Sequence, residues 1–487
     1  MLTLKNSNRL TKKVSKQLIE DLTQEEISKV LEQINNTKSK KMLLTFQQKI
    51  FPTLEQAEVL YALSENCRLL YNFALKERIE WWEKNKDKTK KERETFPSYI
   101  NQQNNLPKIK EQYSRYKQVH SKTLQMTLRQ LDADFKSFLA LRKKGHSEAQ
   151  PPKFKGKKYF TPIIYNQSGF KIKGNMIRFN HFYPTKETKE TELYFQLENR
   201  FNPINRNIKQ VLISQNYKTK EFNLSITFEE PTPIYQDNGL YQAIDQGVMS
   251  IVAGVNNHAG KTIIIKNQRV DKYWQPKIEE LTSKRDYCKK YSNKWHWYNE
   301  KLKKIIRKQS NQQKDFQHKV SKKIVENTKA DTLIIGDLNT RQMSQKRIGD
   351  KKNRKSLHRS NHNSGVIGRF ARFLTYKAEK VGKKVIRISE RRTSMRCCYC
   401  GKKEQRWLSE RIIKCDKCGI VIDRDINASV NIMQRFFALL SLSHKRPLVG
   451  QQLLSDFRKL FFATHSQTSN GSFSSNGVGR TRKKSYR

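Results

Sequence analysis

The chain has few acidic residues for its size. Among its 487 residues, 45 Asp and Glu stand against 98 Lys and Arg, a formal net charge of +53. A lone globule with that excess would repel itself, so we expect the chain to wrap a polyanion such as nucleic acid. A ribosomal-type or membrane-surface protein is the alternative for so basic a chain. Aromatic residues make up 10% of the sequence, which argues against a disordered basic tail protein.

Long apolar runs and a secretion signal are also missing. No stretch approaches the roughly 18 apolar residues of a membrane-spanning helix. The first residues, MLTLKNSNRLTKKVSKQLIEDL, contain no apolar signal-peptide core. We therefore expect a cytoplasmic protein. A chain of this length has room for about two to four domains and a sizeable buried core.

Four of the seven cysteines form two Cys-x-x-Cys pairs, each with a glycine directly after it. The pairs and glycines are Cys397/Cys400 with Gly401 and Cys415/Cys418 with Gly419. Four thiolates in two such tight knuckles predict a closed, tetrahedral, structural zinc site. Two disulfides are the alternative, which the missing secretion signal disfavours. Cys398 could replace a neighbour, but Cys397 keeps the two-residue gap.

Two acids follow the second cysteine pair at the start of a helical pattern. Asp423 and Asp425 precede Ile426, Val430 and Met433, whose spacing predicts a helix. A carboxylate just ahead of a helix gains from the positive helix end and can hold a divalent cation. An N-cap role for the Asp is the alternative.

Further acids lie at the ends of predicted strands. In YQAIDQGVMSIVAGVNN, Asp245 has apolar neighbours, which is unfavourable unless the carboxylate is paired, hydrogen-bonded or bound to metal. The strand in ADTLIIGDLNT ends at Gly336 and Asp337, and the strand Val385–Ile388 is followed by Glu390. The acids Asp245, Asp337 and Glu390 thus each lie at or just beyond the end of a predicted strand.

The zinc ribbon running straight into DRDINAS resembles the third nuclease motif of the TnpB proteins. These are RuvC-like nucleases carried by insertion sequences and related to type V CRISPR effectors. IDQG resembles the family's first motif and IIGDLN its second, and the resemblance covers about residues 42–437. It implies an α/β fold plus a β-barrel: a ribonuclease H-like RuvC domain with an inserted zinc ribbon, preceded by a wedge β-barrel with a helical recognition insertion.

The resemblance also implies a division of the chain. We expect a polar extension with a helix over about Glu20–Ile34, and a C-terminal segment with one or two packed turns before a disordered basic tail. The expected segments are the extension (1–41), first wedge strand and helix start (42–57), helical recognition domain (58–142), wedge β-barrel (143–235), RuvC-like nuclease with its first two motifs (236–395), zinc ribbon (396–419), third motif (420–437) and C-terminal segment (438–487).

Three carboxylates that hold two Mg²⁺ ions are implied for catalysis. The common second motif has a glutamate where this chain has Gly336, and on a regular strand Asp337 would face away. One branch of the family, including eukaryotic relatives, carries its catalytic glutamate on the next strand, which is Glu390 here. The implied set is Asp245, Glu390 and Asp425.

Asp425 is preferred to Asp423 because the shortest family version keeps only the acid two places before the Asn. Asp423 is then expected to face solvent or Arg424. Three alternatives stay open: a surface pair of Glu390 with Arg391 or Arg392, Asp337 as the third ligand, and an inactive site.

The resemblance implies an RNA-guided, Mg²⁺-dependent DNA endonuclease of a transposable element, formerly called a transposase. Its partners would be a guide RNA from the element end and double-stranded DNA beside a short motif. The alternatives are a nuclease-dead, RNA-guided repressor and a non-guided zinc-ribbon binding protein. Nucleic-acid contacts are predicted for Arg68, Asn72, Gln125 and Lys155, with caps or pairs within the helical bundle as the alternative for Arg68 and Asn72.

Overall fold

The computed structural model describes residues 4–36, 41–89, 91–166, 168–182, 193–203, 206–217, 219–337, 366–407, 409–443 and 447–466. The chain divides into two compact units, Lys41–Pro231 and Met1–Lys40 with Thr232–Arg487. The predicted basic tail and a basic loop over 341–363 lie outside the described residues.

The N-terminal segment contains two helices, α1 (Leu4–Glu20) and α2 (Gln24–Asn35). The prediction of one helix over about Glu20–Ile34 is therefore wrong at its start and misses α1. The hydroxyl of Thr23 accepts the N–H of Glu26, and the Glu26 carboxylate accepts the N–H of Thr23. This capping box starts α2, so the segment forms two separate helices.

The helices of the Lys41–Pro231 unit follow one strand. β1 (Lys41–Ile50) leads into α3 (Leu54–Asn85), α4 (Tyr99–Asn104), α5 (Leu106–Gln112) and α6 (Ser121–Lys143). α3 begins at a capping box between Thr53 and Gln56, as its sequence predicts. Apolar residues recur at three- and four-residue steps along α3 and are buried: Leu60, Leu63, Cys67, Leu70 and Ala74. α3 packs against α6 in the same core.

The remaining strands of this unit form two antiparallel sheets. They are β2 (Ile163–Asn166), β3 (Phe170–Lys173), β4 (Met176–Phe179), β5 (Leu193–Gln196), β6 (Asn207–Gln215) and β7 (Phe222–Pro231). One sheet has the order β1-β7-β6-β2 and the other β3-β4-β5. Among the described residues β1 and β2 lie at opposite edges of the first sheet, and the wedge β-barrel stays a prediction.

The second unit is built on a five-stranded mixed sheet. Its strands are β8 (Tyr241–Asp245), β9 (Ser250–Asn256), β10 (Thr262–Lys266), β11 (Thr332–Asp337) and β12 (Lys384–Ser389). The order is β10-β9-β8-β11-β12; β8, β11 and β12 are parallel, and β9 is antiparallel to both of its neighbours. This is the ribonuclease H-like arrangement that the family resemblance implies.

Helices cover both faces of this sheet. α7 (Val270–Tyr287) and α8 (Asn293–Asn327) form a hairpin, and α8 and α9 (Val366–Lys380) pack on one face. A short hairpin of β13 (Ile412–Lys414) and β14 (Val421–Asp423) leads into α10 (Arg424–Leu440) and α11 (Pro447–Ser466), which pack on the other.

The C-terminal segment is more ordered than predicted. Instead of one or two further turns, α11 extends to Ser466 and buries Leu454, Phe457 and Phe461 against α10 and the sheet. Its apolar positions recur at helical spacing, which is the physical reason for the extra helix. No helix within the described ranges has both the length and the apolar character needed to cross a bilayer.

Candidate metal centres and active site

The four cysteines of the two pairs converge as predicted. Their Sγ atoms all lie within 4.8 Å of one another, and the Cys397–Cys418 and Cys400–Cys415 sulfur pairs are each 3.6 Å apart. A tetrahedron of Zn–S bonds of about 2.3 Å has edges of about 3.8 Å, whereas a disulfide bond is about 2.0 Å long. All four thiols are free. The quartet therefore fits one zinc ion, and the disulfide alternative is wrong.

The glycines after each pair have the predicted local role. Gly401 and Gly419 have φ of +73° and +71°, in the left-handed region that favours glycine. Each N–H donates to the carbonyl of the first cysteine of its pair, Gly401 to Cys397 and Gly419 to Cys415. These turns aim both thiols of a pair at one point.

Buried asparagines tie the first cysteine pair to α10. Asn427 accepts the N–H of Cys398 through Oδ1 and donates to the carbonyls of Thr393 and Arg396. Asn431, one turn further on, donates to the same two carbonyls at 2.8 Å. The cysteine knuckle is thereby fixed to the helix whose first turn carries Asp425.

The candidate catalytic acids lie at the carboxyl ends of neighbouring parallel strands. Asp245 is the last residue of β8, and Glu390 follows β12 directly. Between these strands lies β11, whose register pairs Ile335 with Ile244 on one side and Gly336 with Ile388 on the other. Gly336 therefore lies between the two acids.

The glutamate side chain occupies the space above this glycine. A Cβ atom added at Gly336 would lie 1.5 Å from Oε1 of Glu390 and 2.1 Å from its Cδ. Gly336 shows no positive φ, so its backbone conformation does not demand glycine. The carboxylate of Glu390 thus occupies the space that a side chain at position 336 would need.

The third acid follows at the start of α10. Asp423 is the N-cap: its Oδ1 accepts the N–H groups of Asp425 and Ile426. The expectation that Asp423 faces solvent or Arg424 is therefore wrong, because capping engages its carboxylate. Asp425 lies in the first turn, where it forms an ion pair with Arg411. Its negative charge also acts on Asp245.

Burial and mutual repulsion disfavour the ionised forms of Asp245 and Glu390. Burial, reinforced by the charge of Asp425, raises the pKa of Asp245 to about 8. Burial and the charge of Asp245 also raise the pKa of Glu390, although the backbone N–H of Gln246 donates to it. Oε1 of Glu390 is buried with no hydrogen-bond partner. Together these acids can ionise at neutral pH only with a compensating positive charge.

Asp337, the alternative third ligand, and Arg392, an alternative surface partner of Glu390, both have other neighbours. Asp337 has a side chain that is 60% exposed and lies 3.9 Å from Arg387. The register of β11 with β12 runs without a bulge to Asp337, so it faces away from Gly336. Arg392 pairs with Asp21 at 3.1 Å.

The predicted nucleic-acid contacts in the helical unit are largely engaged within the fold. Arg68 is buried, pairs with Glu65 and donates to the carbonyl of Lys155. Asn72 donates to the same carbonyl and accepts the Lys155 N–H, and the Lys155 ammonium lies 3.6 Å from the ring centre of Tyr71. Gln125, on α6, is half-buried. These contacts match the alternative of pairing within the bundle, and nucleic-acid binding stays a prediction.

Sequence reasoning missed the residues that support the site. Asn427 and Asn431 precede Arg435 at four-residue steps, and all three are fully buried on α10. Polar residues at that spacing on an otherwise apolar helix face were the available signal. Asp21, which pairs with Arg396, gave no signal because its partners lie some 370 residues further along the chain.

Three segments of the chain match known families. Residues 42–87 match a helix-turn-helix domain, residues 225–347 a probable transposase, and residues 368–432 the Cas12f1-like TNB domain. A TnpB-like protein of Methanocaldococcus jannaschii is 33% identical over 184 residues. The chain belongs to the TnpB family. The match to the archaeal protein covers 35% of this chain and 61% of that protein, so this chain spans less than two thirds of the length of that relative.

Two more distant proteins extend the similarity over most of the chain. Escherichia coli (strain K12) has a protein named "Putative RNA-guided DNA endonuclease InsQ", 24% identical over 331 residues, or 66% of this chain and 76% of that protein. The chain in the structure of a Cas12f1-sgRNA-target DNA complex is 13% identical, with a TM-score of 0.54, and is matched over 98% of its length and 80% of this one. This TnpB-family chain therefore shares the Cas12 fold.

Proposed function

We propose that this chain is an RNA-guided, metal-dependent DNA endonuclease of a transposable element. The observation that carries the proposal is the carboxylate of Glu390, which fills the space above Gly336 beside Asp245. A chain that had merely lost its second-motif glutamate would have no reason to place a second acid there. The name of the E. coli relative, an RNA-guided DNA endonuclease, supports the same activity.

The acids fit divalent cations by their chemistry. The partnerless Oε1 of Glu390 and the raised pKa values of Glu390 and Asp245 indicate a site that lacks positive charge. Carboxylate oxygens are the ligands that Mg²⁺ prefers. Asp245, Glu390 and Asp425 would hold two Mg²⁺ ions. Bound there, the ions would activate water and stabilise the departing oxygen.

The three acids are not gathered as tightly as the cysteines. In the described part of the chain, the cysteine quartet is the one group of three or more possible ligands with all donor atoms within 4.8 Å of one another. The carboxylates of the three acids are therefore spread more widely. Our proposal therefore assigns them to two ions, each held by part of the set, and does not place all three acids on one ion.

The chain's own groups set the charge and geometry. Capping by Asp423 fixes the first turn of α10, the turn that carries Asp425. Arg411 offsets the charge of Asp425. The zinc quartet and Asn427 hold that turn against the segment after Glu390.

Guide RNA and double-stranded DNA are the proposed partners. The chain has 98 basic and 45 acidic residues, and this excess of positive charge would neutralise phosphates. A solved structure of the same fold contains a guide RNA and a target DNA. In such an assembly base pairing carries sequence specificity and the protein reads a short adjacent motif. The guide would come from the element end, and Arg68, Asn72, Gln125 and Lys155 remain the proposed contacts.

Cleavage of a guided target tests the proposal. The purified chain with its co-purifying RNA should cut a matching plasmid in Mg²⁺ and not in EDTA. Glu390→Ala should abolish cutting and leave RNA binding unchanged, while Asp337→Ala, the matched control on the neighbouring strand, should cut normally. Target binding without cutting by the unaltered chain would favour the nuclease-dead repressor. Normal cutting by Glu390→Ala would refute our choice of the third ligand.

A further inference from the structure

The N-terminal helices contact the segment that carries Glu390. α1 packs on α10, and α2 packs on β12. Gln17 of α1 lies against the first zinc knuckle, where its Oε1 would be 2.2 Å from a Cβ at Gly401. Glu26 of α2 accepts the hydroxyl of Ser389, the residue before Glu390. The two helices thus touch both sides of the candidate catalytic glutamate.

A buried arginine grips the backbone on either side of Glu390. Arg435 of α10 is fully buried and donates to the carbonyl of Ser389 at 2.5 Å and to that of Arg391 at 2.9 Å. Its Nε donates to the carbonyl of Leu18 in α1. Arg435 therefore links α1 to the two peptide groups that set the position of Glu390.

The buried carboxylate of Asp21 balances the positive charge of Arg435. Asp21, at the junction of α1 and α2, lies 3.8 Å from Arg435 and pairs with Arg392 and, through two bonds, with Arg396. The side chain of Asp21 is 1% exposed. A buried guanidinium is costly without a counter-charge, so Asp21 keeps Arg435 in place.

The turn after Glu390 is conformationally unfavourable and held from outside. Arg392 has φ of +64°, a left-handed conformation that is uncommon for a non-glycine residue. The hydroxyl and N–H of Thr393 both donate to the carbonyl of Glu390. Asp21, in the N-terminal segment, holds the Arg392 side chain.

The free edge of β12 is also covered by α2. The side-chain amide of Gln33 donates to the carbonyl of Arg387 and accepts its N–H, replacing a neighbouring strand. The ammonium of Lys384 donates to the carbonyls of Ile34 and Asn36 at the end of α2. These bonds hold both the edge of β12 and its first residue, Lys384, against α2.

We propose that the N-terminal helical segment positions the catalytic glutamate: Asp21 holds Arg435, and Arg435 with Gln33 holds the strand end that presents Glu390. Asp21, Gln33 and Arg435 are positioning residues, because none of them touches the reacting atoms. This inference rests on the proposed role of Glu390 as a metal ligand. It assigns a role to a segment outside the part of the chain that resembles the family.

Direct metal binding tests the proposal separately from cleavage. Mn²⁺ serves as the probe, and its binding to the full-length chain is followed by electron paramagnetic resonance. Asp21→Asn should weaken Mn²⁺ binding by about 10- to 100-fold, as expected when a group that orients a metal ligand is lost. Gln33→Ala, which leaves no buried charge unpaired, should weaken it about threefold. Both substitutions should lower the cleavage rate without changing affinity for the guide RNA.

A double-mutant cycle separates positioning from general stability. In a Glu390→Gln background, Asp21→Asn should change Mn²⁺ binding less than twofold, because the group it acts through is gone. The matched control is Asp132→Asn, which removes the partner of buried Arg78 in the other unit and should leave Mn²⁺ binding unchanged.

Two outcomes would overturn the proposal. One is unchanged Mn²⁺ binding in both Asp21→Asn and Gln33→Ala. The other is an equal loss from Asp21→Asn with and without Glu390. If the unaltered chain binds Mn²⁺ through Glu390 but never cuts a guided target, the endonuclease proposal fails and the positioning proposal stands.

Discussion

A methyl group at Gly336 should separate the two roles that this position combines. Alanine keeps the strand backbone, but its Cβ would lie 1.5 Å from Oε1 of Glu390, where ordinary contacts begin at 3.4 Å. The carboxylate must retreat by about 2 Å. Misplacing a reacting group by about 1 Å costs on the order of 100-fold in rate. We therefore expect Gly336→Ala to slow cleavage by at least about 100-fold, or about 2.7 kcal/mol in the activation barrier.

Stability should change little, because Glu390 lies beyond the end of β12 and its side chain can turn away from the strand. The assay is single-turnover cleavage of a guided plasmid at saturating Mg²⁺, with the melting temperature and guide-RNA affinity as controls. Exchange of the two positions provides a stricter test. Gly336→Glu alone should be inactive because two carboxylates compete for one space, whereas Gly336→Glu combined with Glu390→Gly should recover cleavage.

Cleavage by Gly336→Ala at the unaltered rate would refute this reasoning, since Glu390 could not then depend on the space above the glycine. A folded but inactive exchange variant would show that the carboxylate must approach from β12. Either result is informative only if the guide RNA still binds, which the affinity measurement establishes.

Two further predictions concern charge and zinc. Because the pKa of Asp245 is about 8 in the folded chain and near 3.8 in the unfolded chain, the folded state binds the extra proton, and the free energy of unfolding should fall as pH rises from about 4 to 8 without divalent metal. Asp245→Asn should make this fall smaller without abolishing it, because the buried carboxyl of Glu390 also has a raised pKa. The melting temperature of Asp245→Asn should therefore exceed the unaltered chain's at pH 8 and approach it near pH 4; parallel curves would contradict the assignment. The chain should contain about one zinc ion, and Cys415→Ser should lose it and melt at a lower temperature, because the ribbon anchors α10. Cys288→Ser, which changes a thiol outside the quartet, should keep both zinc content and melting temperature.

Local patterns predicted the parts of the fold that depend on local physics. The apolar strands around Asp245 and Gly336 and the helix after Asp425 form where residue spacing places them. The cysteine quartet was predictable because the Cys-x-x-Cys spacing already fixes half of the metal geometry. Family resemblance supplied the ribonuclease H-like fold class and the catalytic set of acids.

Contacts between distant segments were not predictable from such patterns. The pairing of Asp21 with Arg396 spans 375 residues, and nothing in either local sequence marks it. An N-cap role was an alternative for the acids ahead of this helix. Which of the two acids caps it depends on the backbone of the first turn, and there Asp423 is the cap. The α1 helix was missed because its apolar residues are sparse among polar ones, and its partner α10 lies at the far end of the chain.

The location of the glutamate explains why the N-terminal helices contact this site. Position 336 lies on β11, which is hydrogen-bonded on both sides, by β8 and β12. A glutamate there would be held by the sheet itself. Glu390 instead follows an edge strand and precedes a left-handed turn, so its backbone needs support from outside the sheet.

That support comes from Arg435 and from α2. The two arrangements should therefore depend differently on Asp21. In the Gly336→Glu/Glu390→Gly chain, the Asp21→Asn substitution should lower the cleavage rate by less than it does with Glu390 in place. An equal loss in both backgrounds would mean that Asp21 stabilises the unit as a whole and that the glutamate's location does not require the N-terminal helices.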